Sequence, residues 1–113
     1  MEVPDWGAVY SSPQVINGVL YVGSDDHFVY ALNASDGSFK WKYQTRDIVQ
    51  SSPQVVNSVV YIGSWYFIYA LNAIDGSLKW KFQTGYYVEY SPKVVNGIVY
   101  VGSDDGYVYA LYA

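Results

Sequence analysis

The stretch SSPQVINGVLYVGS at Ser11 returns as SSPQVVNSVVYIGS at Ser51 and again as YSPKVVNGIVYVGS at Tyr90. Pro13, Pro53 and Pro92 mark the same position in each copy, spaced by 40 and then 39 residues. A repeat of this length is one supersecondary unit that cannot bury both faces alone, so successive units must stack. The 113 residues therefore hold close to three units and little else.

Within a unit the residues alternate with period two, or run as short β-branched and aromatic stretches between turn residues. Both patterns belong to strands. Four strands are expected per unit. In the first copy strand A runs from Ala8 to Ile16 and is closed by the Asn17-Gly18 hairpin. Strand B follows from Val19 to Ser24, then the turn Asp25-Asp26-His27 and strand C from Phe28 to Asn33. The Asp36-Gly37 turn leads into strand D, Ser38 to Thr45. No window carries helical apolar spacing over helical length. The prolines suit the start of an innermost strand, where a missing N–H is tolerated. The expectation is an all-β fold, a β-propeller of about three blades of four antiparallel strands. Residues 1–10 would be a lead-in with part of a D strand, 11–50 the first blade, 51–89 the second and 90–113 the third.

Composition narrows the function classes. Apolar residues make up 51% of the chain and aromatics 19%, enough for a packed core. The net charge is −4, with no run of Lys or Arg, which argues against a nucleic-acid partner. There is no cysteine, so disulfides, thiolate nucleophiles and Cys-ligated metals are excluded. No stretch approaches the roughly 18 apolar residues of a spanning helix. Residues 1–10 lack the basic and apolar runs of a signal peptide.

ALNASDGSFKW (Ala31 to Trp41) and ALNAIDGSLKW (Ala70 to Trp80) resemble the tryptophan-docking repeat of the PQQ-like propeller family, and VYVGSDDGYVYAL (Val99 to Leu111) is similar to its B–C hairpin. That family includes the quinoprotein alcohol dehydrogenases and a periplasmic outer-membrane-assembly lipoprotein. The resemblance implies that Asp36, Gly37 and Trp41, and likewise Asp75, Gly76 and Trp80, fasten neighbouring blades. It favours an extracytoplasmic or cell-surface location. The family's dehydrogenases add a quinone pocket with a metal ion, an acidic base and usually adjacent cysteines. The cysteine pair is missing here and no carboxylate stands in a non-repeating insertion. The expectation is a protein without enzyme activity or cofactor.

Several residues invite a sharper reading. Asp25-Asp26 and Asp104-Asp105 have the form of paired carboxylates, but they recur at one repeat position and read as turn formers. His27, the only histidine, sits in the same turn and reads as exposed. Asn33-Ala34-Ser35 is a glycosylation sequon at a loop. Arg46 and Asp47 lie in the first D–A loop, and an exposed pair there contributes only about 0–1 kcal/mol. The middle unit departs from the pattern, with Ser64-Trp65-Tyr66 where its neighbours have Ser-Asp-Asp and a B–C turn one residue shorter. Trp65 and Tyr66 should share a face with Tyr86, Tyr87 and Tyr90. Such a patch packs locally, binds a glycan or meets another protein.

The strands count A B C D, A B C D, A B C. Glu2, Val3, Pro4 and Asp5 align with the end of strand D, which the third unit lacks. Three blades are too few to close a ring. Identical chains are therefore expected to associate head to tail, with residues 2–5 of one chain completing the strand edge Val108, Tyr109, Ala110, Leu111 and Tyr112 of the next. Such a contact gives a ring, of six blades for two chains, or a fibre. The alternatives are a carbohydrate- or protein-binding module using the aromatic face, and a piece of a larger quinoprotein-like propeller.

Overall fold

The computed structural model describes residues 11–88 and 91–113, and these form antiparallel sheets without a helix. The first sheet is a four-stranded meander of β1 (Gln14–Ile16), β2 (Val19–Gly23), β3 (Phe28–Asn33) and β4 (Phe39–Gln44). The second contains β5 (Gln54–Val56), β6 (Val59–Asn72) and β7 (Leu78–Val88). The third contains β8 (Lys93–Val95), β9 (Ile98–Gly102) and β10 (Val108–Tyr112).

The second sheet has the same strand path as the first despite its count. A straight strand of 14 residues such as β6 would be about 46 Å long. Yet the N–H of Ala73, just past its end, donates to the carbonyl of Ser58, just before its start, at 2.9 Å. β6 is thus a hairpin bent at Trp65, whose φ is +38°, and its two arms are strands B and C. The same closure joins Ala34 to Gly18 at 2.8 Å and Ala113 to Gly97 at 2.9 Å.

The A–B turns explain themselves from sequence. Asn17-Gly18 and Asn96-Gly97 place both central residues at positive φ (51° and 77°, 49° and 79°), as a two-residue primed hairpin requires. Asn57-Ser58 adopts the same shape, with Ser58 held at 62° where its counterparts have glycine.

Strand A is shorter than its pattern implied. The expected start at Ala8 lies outside the described residues, and the ladder begins only at Gln14. Pro13 has no N–H, and the N–H of Ser12 is taken by the Ser52 hydroxyl of the next blade at 2.8 Å. Ser11 meanwhile accepts the N–H of Gly23 through its hydroxyl at 3.2 Å. Side chains, rather than a ladder, fix this entry segment.

Blades join at three radii. At the inner rim the contacts are reciprocal: Ser12 N–H reaches Ser52 Oγ, and Val55 N–H returns to Gln14 Oε1 at 2.8 Å. Ser52 to Ser91 and Val94 to Gln54 repeat them at 2.8 and 2.9 Å. At mid-radius, Tyr21, Val29, Ala31 and Trp41 of the first sheet pack on Val55, Val60, Ile62, Phe67, Tyr69 and Leu71 of the second. Tyr61, Ile68 and Ala70 of the second face Val99 and Val101 of the third. At the outer rim Trp41 crosses between blades. Its indole N–H donates to the Ala73 carbonyl at 2.9 Å, and the Tyr21 hydroxyl approaches the same carbonyl at 3.4 Å. Its ring lies flush on Gly76, where φ is +75° and a Cβ would stand 2.5 Å from the ring. Only glycine fits this contact.

The turn that receives Trp41 is braced from within. Asp75 accepts the Ser77 N–H at 3.0 Å and the Ser77 hydroxyl at 2.7 Å, while Asn72 donates to that hydroxyl at 2.8 Å. Asp36 and Asn33 do the same with Ser38 in the first blade. Hydrogen bonds from the serine N–H, then from its hydroxyl, hold the Asp36 and Asp75 carboxyls below the ordinary range.

Two predictions follow from this joint. Trp41→Ala should destabilise the fold by about 3–5 kcal/mol, because it empties a buried ring site, and Trp80→Ala should cost clearly less, since Trp80 is only part-buried. Denaturant titration of both variants checks the order. Because the turn carboxyls are depressed in the folded state, their stabilisation is complete above about pH 4 and lost as pH falls through the folded values. The melting temperature should be flat from pH 7 to about 5 and fall below about 4. A chain carrying Asp36→Ala and Asp75→Ala should show a shallower acid slope, and an unchanged slope would contradict the assignment.

Candidate functional site

The first candidate is a sheet edge. β3 is paired on both sides, by β2 and β4, whereas its counterpart β10 pairs only with β9 among the described residues. The exposed edge is apolar: Val108 is 74% exposed and Tyr112 88%. The adjoining blade face is open too. Tyr21 and Tyr61 are buried against the next blade, while the equivalent Tyr100 is 41% exposed.

Beside this edge stands Trp80. Its ring is tilted 49° to Tyr61 at 6.1 Å, nearly the geometry of Trp41 on Tyr21 at 47° and 6.0 Å. Trp41 is covered by the Asp75-Gly76 turn. Trp80 is not covered in that way, and its indole N–H has no acceptor among the described residues. An open groove of about 210 Å³ runs past it, lined by Lys81, Phe82, Leu111 and Tyr112.

The inner rim changes at the same blade. Gln14 and Gln54 each accept an N–H from the following inner strand. The third copy has Lys93 at this position, and an ammonium cannot accept a hydrogen bond. This ladder of glutamines and its interruption were not singled out in the sequence. The signal was present as Ser-Pro-Gln, Ser-Pro-Gln, Ser-Pro-Lys.

The second candidate is the aromatic loop face. Because the middle B–C turn is short, β7 continues through Tyr86 and Tyr87, and Val88 pairs with Trp65. Tyr86 and Tyr87 stack at 4.4 Å, Trp65 lies 4.7 Å from Tyr87, and Tyr66 lies 5.1 Å from Tyr87 and 6.2 Å from Tyr86. Their backbone is pinned. Thr84 donates to the Tyr86 carbonyl at 2.6 Å and Ser103 to the same carbonyl at 3.0 Å, while the Asp104 N–H meets the Tyr87 carbonyl at 2.9 Å. Hydrogen bonding to Tyr66 is the main reason that the Tyr87 phenol lies above its ordinary value. The four rings form one group, with Tyr86 its most open member. Tyr90, expected with them, lies outside the described residues, as do Glu2, Val3, Pro4 and Asp5.

The acidic pairs serve as turns. Asp26 accepts the Phe28 N–H at 3.1 Å and the Tyr30 hydroxyl. Asp105 accepts the Tyr107 N–H at 2.9 Å, the Gly85 N–H at 3.1 Å and the Tyr109 hydroxyl. Burial pushes the Asp105 carboxyl up, but these hydrogen bonds, led by Tyr109, outweigh it and leave it lowered. His27 is exposed with φ of +77°, at the position that Gly106 fills in the third blade. Asn33 spends its side-chain amide on Ser38. Arg46 lies over the Phe67 ring at 5.6 Å, and the Asp47 carbonyl accepts from Thr45 and Ser64. Among the described residues no three His, Asp or Glu side chains converge on a metal-sized point, and no helix is long and apolar enough to cross a membrane.

The fold agrees with known proteins. The family model PQQ_2, described as outer membrane protein assembly factor BamB, matches residues 4–113. Quinohemoprotein alcohol dehydrogenase ADHIIG from Pseudomonas putida HK5 is 29% identical with a TM-score of 0.86, over 99% of this chain and 20% of that one. BamB from Moraxella catarrhalis superposes with a TM-score of 0.78 at 22% identity, over 88% of this chain and 32% of that one. The computationally designed Ika4 protein superposes at 0.80 and 17% identity, over 88% and 63% of the two chains. The chain thus spans only a fifth of the dehydrogenase and a third of BamB. No curated protein sequence matches it significantly. These relatives include both enzymes and a protein named for assembly, and the chain belongs to the PQQ_2 family of PQQ-like β-propellers.

Proposed function

We propose that this chain is a non-catalytic propeller unit whose task is association. It works as a scaffold that joins identical chains head to tail through the β10 edge. The observation that carries the reading is the apolar strand Val108–Tyr112, whose outer edge has no partner among the described residues, beside an exposed blade face. Long apolar edges of this kind are covered in proteins that stay soluble. The register of the first blade says how residues 2–5 would sit there. Val29 faces Tyr43 and Tyr30 faces Lys42, so Val3 and Glu2 of a second copy lie opposite Val108 and Tyr109. Strand addition of this type draws its affinity from main-chain hydrogen bonds.

Native mass spectrometry of the full chain tests the reading. A dimer or a longer series supports it, and a well-behaved monomer at 12.7 kDa across the concentration range overturns it. The interrupted glutamine ladder supplies an independent check. In a head-to-tail assembly the N–H of Val15 from the next copy faces Lys93. Lys93→Gln should restore the acceptor that Gln14 and Gln54 provide and tighten association by about fivefold, the effect of one net hydrogen bond near 1 kcal/mol.

The four-ring group favours a second reading, a binding face for sugars or protein on the loops of the middle blade. Stacking on a sugar needs an exposed ring held rigidly, and Tyr86 has both properties. Under this reading a glycan array should show a signal that Trp65→Ala and Tyr86→Ala both remove. A blank array dismisses the sugar.

A further inference from the structure

Residues that recur in every copy of a repeat serve its fold, so a departure at an equivalent position calls for a separate reason. Two departures meet in one place, a cleft of about 440 Å³ between the first two blades, on the side of their A–B turns. The first blade gives it Ile16, Val19 and Tyr21, and the second gives Val55, Ala73 and Ile74. Both walls belong to four-stranded blades, so the cleft does not depend on the open end of the third.

Ile74 stands where the first blade has Ser35, and at 82% exposure it adds no packing to the core. Ser58 stands where the other A–B turns have Gly18 and Gly97. It holds φ of +62°, a conformation that strains a side chain and is free to glycine. Its hydroxyl has no partner among the described residues, so no bond there offsets the strain. Lys40 adds charge. The ladder passes from Trp41 opposite Ala31 to Phe39 opposite Leu32, which leaves Lys40 as the extra residue of a β-bulge. A bulge re-aims the side chain that it frees, and Lys40 lines the cleft. The second blade repeats the bulge at Lys79, so the cation belongs to the repeat, whereas Ser58 and Ile74 are particular to this cleft. The side chains of Lys40, Asn17 and Asn57, which also line it, have no hydrogen-bond or ion-pair partner among the described residues.

We propose that this cleft binds a small aliphatic monocarboxylate, its chain on the apolar walls and its carboxylate on the polar rim of Lys40, Ser58 and the turn asparagines. The volume falls in the range of about 300–1,000 Å³ usual for small-ligand sites. The walls are aliphatic apart from Tyr21, which is buried against Trp41 at 6.0 Å and directs its hydroxyl at Ala73, so it offers no ring face to a sugar. Lys40 is the one cation lining the cleft, and Asp75 follows Ile74 on the turn, which suits a single negative charge better than a phosphate dianion. An alkyl chain covers the exposed isoleucine, and a carboxylate accepting from the Ser58 hydroxyl offsets the strain at that turn. The site shares no residue with the β10 edge or with the Tyr86 group, so it stands or falls apart from both.

The test titrates isotope-labelled full-length chain with sodium octanoate, below its micelle concentration, and follows the amide resonances. Saturable shifts are expected at Val19, Ser58, Ala73 and Ile74, with octanol binding about fivefold more weakly and octylammonium more weakly still. Lys40→Gln should weaken octanoate by about fivefold and remove its advantage over octanol. Ile74→Ser, which copies the first blade, should weaken octanoate and octanol alike by about fivefold. Ser58→Gly should raise the melting temperature and still weaken octanoate by about fivefold. All three positions are exposed, so the variants keep the fold. Four results would overturn the proposal: no saturable shifts, shifts centred on Tyr86, octanol binding as tightly as octanoate, or undiminished octanoate affinity in any of the three variants.

Discussion

The contact between the Trp41 indole and the Asp75-Gly76 turn is the one on which the arrangement of the first two blades depends. A sheet packed on another sheet by apolar side chains alone has a broad choice of angle. Here the inner rim is tied by reciprocal serine and glutamine hydrogen bonds and the outer rim by Trp41. Two fixed rims with a packed layer between them leave one angle. The glycine matters as much as the tryptophan, since any side chain at position 76 would hold the ring away from the Ala73 carbonyl. The internal bonds of the turn keep that carbonyl and that glycine in place before the ring arrives.

Much of this was readable in the sequence because the residues act locally. Asn-Gly fixes a two-residue hairpin wherever it stands, and alternating Tyr, Val and Leu make strands whose partners are a few residues away. What escaped the reading were consequences of neighbours. Strand A looked long because Ala8 to Ile16 alternates correctly, but Ser12 gives its N–H to another blade and Pro13 has none to give. Gln14 looked like an ordinary surface amide, and only the packing of the next blade reveals that its oxygen holds Val55. The aromatic face is the intermediate case. The sequence placed Trp65, Tyr66, Tyr86 and Tyr87 on one side, and the ring distances bring them into one group.

The middle blade shows how one deleted residue spreads. With a full-length turn, as in the first and third blades, the B–C connection is closed by an aspartate that caps its own loop and binds a tyrosine. The shortened turn has no such aspartate. Trp65 takes positive φ, the two arms run together as one strand, and the following D–A segment is drawn into the sheet opposite it. Four rings then face one another where the other blades carry polar turns. The aromatic group is thus the result of a local backbone change, and its rigidity comes from the hydrogen bonds that the Thr84 and Ser103 hydroxyls donate to the Tyr86 carbonyl.

The third blade differs from its predecessors at the positions that hold a following blade. Lys93 replaces the glutamine of the inner rim, and Tyr112 stands where Asn33 and Asn72 brace the outer turn. Both changes remove a hydrogen-bonding role that the earlier joints use. A contact made at this end keeps the apolar layer of Tyr100 and Val108 and the strand edge, but not the full set of ties at either rim. Under the association reading, such a joint is weaker than the one between the first two blades by about the net contribution of two hydrogen bonds, roughly 1–3 kcal/mol. The joints within the chain are permanent for as long as it is folded, so under that reading the outward joint would be the reversible one. That is the property a scaffold needs if its length is to respond to concentration.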